Sequence, residues 1–171
     1  MSKTTYALAA IVDLTVIASS SPVQCASETD WWRTNGAAVV EHRNSVGEAA
    51  CSLFFYNKDD AAVVTWGKAN AKEISFYDND WRFQANQPVS VAVRLGENWL
   101  GGPANQNPPH LIAYANQERL SVPVNEPMEA LLRNATRISV KLADHETSIS
   151  VDRPKMPALL TAVERCRSIL K

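Results

Sequence analysis

Cysteine and histidine are scarce in this chain: 171 residues hold three of each. Their placement removes the common sites built from them. No two cysteines form a Cys-x-x-Cys pair and no two histidines stand at His-x-x-x-His spacing, so the local zinc patterns are excluded. Gly-x-Ser-x-Gly is missing, which excludes the nucleophile elbow of the α/β-hydrolases. The acidic groups Asp59-Asp60 and Asp78-Asn79-Asp80 lack the ligand spacing of a dedicated calcium loop and read as turns. Charge of one sign is lacking too. Seventeen basic and 18 acidic residues leave a net charge of −1, too little for a broad nucleic-acid or anionic-membrane footprint. No apolar run reaches the ~20 residues of an ordinary spanning helix. There is no internal repeat and no low-complexity tract, and no cofactor is implied.

What is present begins at the N-terminus. Lys3 precedes a mostly apolar run of thirteen residues, Tyr6 to Ala18, with Asp13 as a charge inside it. Small polar residues and Pro22 follow, then Val23-Gln24-Cys25-Ala26. A basic start, a short apolar core and a small-residue junction describe a secretory signal peptide. Residues 1–26 are expected to be this signal, with cutting after Cys25 or Ala26, or alternatively after Ala18. A buried N-terminal helix is a competing reading. Lipid attachment at Cys25 would want a small residue just before it, and Gln24 is not small. About 145 residues then remain, one domain by size, covering 27–171.

The body of the chain reads as strands. Ala37 to His42 opens the series after an Asn35-Gly36 turn. Ala49 to Trp66 is a hairpin around Asn57–Asp60. Its first strand places Cys51, Leu53 and Phe55 on one face and Ser52, Phe54 and Tyr56 on the other. Both faces are largely apolar, so this strand is expected to be covered on both sides. Glu73 to Tyr77, Trp81 to Ala85, Leu111 to Ala115 and Thr147 to Val151 are shorter strands. Val89, Val91, Val93 and Leu95 form one face of a half-buried strand starting at Pro88. In Leu120 to Val124, Pro123 suggests an edge position. A short helix is expected after Asn125, with Pro127 in its first turn and Met128, Leu131, Leu132 and Ala135 apolar; a strand follows at Thr136 to Leu142. Closely spaced short strands indicate a mainly β fold, an antiparallel β-sandwich or open barrel. A second helix, Pro157 to Leu170, carries Leu159, Ala162, Val163, Cys166, Ile169 and Leu170 at helical spacing and closes the domain on the sheet.

Cys166 thus faces inward on its helix, and Cys51 can face inward on its strand, from opposite ends of the domain. If the N-terminal segment leaves with Cys25, an even number of cysteines remains, as one disulfide in an oxidising compartment requires. A bond between them would span 115 residues and contribute on the order of 5 kcal/mol in the chain-entropy model, less any strain. The alternative is two reduced core thiols.

Five tryptophans are many for this size. Several stand beside turns, where an exposed ring can stack on a sugar or anchor an interface. Trp99, beside the Gly101–Pro109 loop, is the leading ligand-binding candidate, with Trp81 and Trp32 behind it. The competing reading is that the rings fill the core. His110 borders the same loop and is the residue around which scattered groups would assemble if the chain were an enzyme.

Several stretches carry a resemblance: Trp31-Trp32 before the first strands, Cys51-Ser52-Leu53, Val91-Ala92-Val93-Arg94-Leu95-Gly96, and Ser148-Ile149-Ser150-Val151 followed by Ala158-Leu159 and Cys166. With the signal segment, this layout resembles small secreted alphaproteobacterial proteins of the invasion-associated locus B type. The resemblance implies a β-rich, periplasmic or secreted protein with an accessory role at the cell envelope, whose partner is a protein or glycan. It supplies no catalytic residue. The expected function is noncatalytic binding at the envelope; a glycan-binding module and an enzyme around His110 are the alternatives.

Overall fold

The computed structural model describes residues 25–44, 46–67, 71–101, 110–124, 128–143 and 145–170. The expected signal segment lies outside them as far as Gln24. The elements are β1 (Cys25–Thr34), β2 (Ala37–Asn44), β3 (Ala49–Tyr56), β4 (Asp60–Trp66), β5 (Ala71–Asp78), β6 (Phe83–Leu95), β7 (Asn98–Trp99), β8 (Leu111–Gln117), β9 (Arg119–Pro123), α1 (Met128–Leu132), β10 (Arg137–Leu142), β11 (His145–Ser150) and α2 (Met156–Ser168). A cut after Ala26 would fall two residues inside β1.

The fold is mainly β. All strands belong to one antiparallel sheet that does not close, in the order β1-β2-β3-β4-β5-β9-β8-β6-β10-β11, with β7 paired to β6. The first five strands form a meander because each link is short. Gly36, at φ +84°, supplies the left-handed residue of the Asn35-Gly36 turn between β1 and β2. The long strand β6 turns the sheet's corner. Its first part, from Phe83 to Val91, pairs with β8, and its last residues pair with β10 and β7. Asn86, at φ 58°, marks the irregularity where the register shifts between Phe83 and Gln87.

Inward-facing side chains make one core: Val39, Leu53, Phe55, Val64, Trp66, Ile74, Phe76, Val93, Ile138 and Ile149 are buried there with Leu159, Val163 and Cys166 of α2. Pro157 occupies the first turn of α2, where its missing N–H costs nothing. Cys51 and Cys166 are bonded, with Cα atoms 6.1 Å apart, so α2 is tied to the inner face of β3. Thr147 Oγ1 of β11 donates to Asp78 Oδ2 of β5 at 2.7 Å. That bond brings the far end of the sheet back to its middle.

Three expectations need correction. β9 is an interior strand between β5 and β8, not an edge. Pro123 is tolerated because it is the last residue of the strand, opposite Glu73. Ile169 lies past the end of α2 and is 38% exposed, so the inner stripe of α2 passes from Cys166 to Leu170. The segment Trp81–Ala85 is not a separate strand; its residues from Phe83 onward begin β6.

Candidate functional site

β1 carries an irregularity that alternation does not foresee. Its register against β2 shifts between Asp30 and Trp32. Consecutive strand residues normally point to opposite faces, and an extra residue breaks that rule. Here Trp31 and Trp32 both line the same groove, which lies between β1 and the outer turns of α2. Pro157, Ala158, Thr161, Ala162 and Arg165 form its other wall, and its volume is about 420 Å³.

Both rings are half-buried. Trp31 is further held by its indole N–H, which donates to Glu41 Oε2 at 3.3 Å. Glu41 itself is 5% exposed, and its other oxygen lies 2.5 Å from Arg43 Nη2. A buried carboxylate is costly unless paired, and this one is satisfied from two sides. Thr161 turns its hydroxyl away from the groove, donating to Pro157 O at 2.9 Å. Arg165, on the rim in the last turn of α2, makes no ion pair among the described residues. The groove is therefore lined by two indole rings, short aliphatic groups and one cation that has no ion pair among the described residues. It is suited to a ring or apolar edge that carries a negative group.

The three tryptophans singled out in sequence go to different places. Trp32 is in the groove. Trp99 is half-buried, with the Arg94 guanidinium 5.3 Å from its ring centroid, so one face is already occupied by a cation. Trp81 is 7% exposed and packs on Phe83, centroids 5.5 Å apart; stacking a ligand on it would require opening the core. Trp31 is not among those three, and no local residue announces the irregularity that brings it to the groove.

His110 is exposed, and its hydrogen-bond partner among the described residues is Ser90 Oγ, 3.3 Å from Nδ1. No acidic group orients it there, so a hydroxyl–imidazole–carboxylate relay is not assembled. Most of its neighbouring loop, residues 102–109, lies outside the described residues. No group of three His, Cys, Asp or Glu that would hold a metal occurs among the described residues, and no helix there is long and apolar enough to cross a membrane.

Two titrating groups beside β1 are perturbed. The Arg33 guanidinium hydrogen-bonds Asp30 through two contacts of 2.8 Å and holds its carboxyl below the ordinary value of 3.8. His42 is 2% exposed, and burial pushes its imidazole below the ordinary 6.5, against the opposing pull of Glu28 at 3.3 Å.

No family model, curated protein or solved structure matches the chain.

Proposed function

We propose that this chain is a noncatalytic β-domain, exported to the periplasm or beyond, that binds a protein or glycan partner at the cell envelope. This is the role implied by its resemblance to the invasion-associated locus B type. The observation that carries the export reading is the Cys51–Cys166 bond. Disulfides of this structural kind persist in oxidising compartments and are rare in a reducing cytosol. The basic and apolar start of the chain supports the same reading. Intact mass of the protein recovered from a Gram-negative host, with and without reductant, tests it. The expected species lacks the N-terminal segment and is lighter than its reduced form by the two thiol hydrogens. A chain that keeps residues 1–24 and has all three cysteines freely alkylatable overturns it.

A glycan partner is favoured by the pairing of Trp31 and Trp32 on one groove, because sugar rings stack on indole faces. Fluorescence quenching by iodide, repeated after Trp32→Ala, checks this. The expected result is an accessible fraction that shrinks in the variant and in the presence of bound oligosaccharide. Complete shielding of every ring from iodide rejects stacking.

A further inference from the structure

The groove between β1 and α2 has two unlike walls. One is aromatic and fixed. Trp31 donates its indole N–H to Glu41 Oε2, and Glu41 is buried and paired with Arg43. A buried carboxylate is a costly way to hold a ring that only fills space. Its effect is to fix a half-buried indole before any ligand arrives, which lowers the cost of ordering a binding surface.

The other wall is a single stripe of α2. Ala158, Thr161, Ala162 and Arg165 recur at three- and four-residue spacing, so they share one face of the helix. The first three are small and leave room opposite the indoles. Arg165 is the only charged residue that lines the groove among the described residues. The volume of about 420 Å³ falls within the ~300–1,000 Å³ of small-ligand sites.

Charges around the groove are matched except at this one point. Asp30 is bonded to Arg33 through two contacts, and Glu41 is paired with Arg43. Glu164 is exposed, stands about 100° round the helix from Arg165, and does not line the groove. A cation in the last turn of a helix can serve merely to satisfy the terminal carbonyls. Here those carbonyls have other partners. Arg165 O accepts from Ser168 Oγ at 2.7 Å, and Cys166 O and Arg167 O accept from the N–H groups of Ile169 and Leu170.

The polar equipment of the groove is otherwise sparse. A neutral sugar needs several polar groups to pair with its hydroxyls and fix its orientation. No Asn, Gln, Asp or Glu lines the groove among the described residues, and Thr161 commits its hydroxyl proton to Pro157 O. The guanidinium of Arg165 is a planar fork that suits the two oxygens of a carboxylate.

We propose that the groove takes an acidic glycan through a uronate, a carboxylated pyranose whose ring stacks on Trp31 and Trp32 and whose carboxylate meets Arg165. This deepens the glycan reading above and rests on it. The indoles hold the ring, and Arg165 sets the preference for charge. An exposed ion pair alone contributes little. Beside two indoles that exclude part of the water, the same pair is expected to discriminate by about tenfold.

The test titrates the oxidised chain with trigalacturonate, with its fully methyl-esterified form and with triglutamate, read by calorimetry. The ester keeps the rings and removes the charge; the peptide keeps the charge and removes the rings. Trigalacturonate is expected to bind at least about tenfold more tightly than either, and less tightly as salt is added. In Arg165→Gln its affinity is expected to fall to that of the ester, with the melting temperature of the parent retained because Arg165 is exposed. In Trp32→Ala both sugars are expected to lose binding. Equal binding of acid and ester, with both lost in Trp32→Ala, overturns the carboxylate preference and leaves the glycan reading standing. Triglutamate binding as tightly as trigalacturonate overturns the choice of a sugar. An Arg165→Gln variant that still prefers acid over ester overturns the role of Arg165. No binding of either sugar overturns the inference as a whole, and iodide quenching then decides separately whether the rings can stack at all.

Discussion

Phe54 and Phe55 are neighbours in β3, and both are buried, at 6% and 2% exposure. Phe55 enters a core built from the whole sheet and sealed by a helix that is covalently attached. Phe54 enters a small cluster on the opposite side, among paired hydroxyls and a histidine. β8 differs: Ala113 and Ala115 face in and are buried, while Ile112 and Tyr114 face out and are exposed. One sheet thus contains strands with two dry faces and strands with one. The backbone pairing is antiparallel in both regions, so the difference lies in the side chains and their surroundings.

The largest expected effect is on the inner side. Replacing Cys51 and Cys166 by serine frees a loop of 115 residues and should cost about 5 kcal/mol, with a large fall in the denaturant midpoint at constant pH. Next comes the direct comparison. Phe55→Ala should cost about 3–5 kcal/mol, and in the full-length chain Phe54→Ala should cost a similar amount. A loss below about 0.5 kcal/mol for Phe54→Ala, as for a surface site, would show that the outer face is bare.

A smaller effect separates the faces by pH. The folded state holds His42 below its ordinary 6.5, so between 6.5 and that lowered value the unfolded chain binds more protons. Its contribution to stability is complete above about pH 6.5 and is lost as pH falls through the folded value. Melting temperature followed from neutral pH down to about 5, above most carboxylate titrations, should fall in the parent and fall less in His42→Leu. Equal slopes would place His42 in water. The smallest effect is at the uncovered end: Ile112→Ser should change stability by no more than about 0.5 kcal/mol.

Much of the strand pattern was legible because side-chain alternation is a local signal. Apolar residues at every position from Leu53 to Phe55 announced a strand dry on both faces. Helical spacing around Cys166 announced a helix with one inner stripe, and together with Cys51 it pointed to the bond. What was not legible depends on partners distant in sequence. β1 reads as polar, because Ser27, Glu28, Thr29, Asp30 and Arg33 carry no apolar alternation; it is a strand because β2 offers an edge. Pro123 looked like an edge marker because sequence does not say which strand end a proline occupies. The groove was missed for a similar reason. Trp31 and Trp32 share it only through a register shift, and Arg165 reaches it only through the packing of α2.

The bond between β3 and α2 also governs what a single break in the backbone does. Residues 52–165 form a covalent ring, so one peptide cut anywhere within it opens the ring and leaves both pieces joined. β1 and β2 lie outside the ring and are held without a covalent tie, by strand pairing and by packing against the core. A cut between them and Cys51 would therefore leave the strand that carries both groove tryptophans held by non-covalent contacts only, while the remainder keeps its covalent closure. In a protease-rich environment the two leading strands are the part without covalent closure, and the remainder is the part that stays joined after one nick.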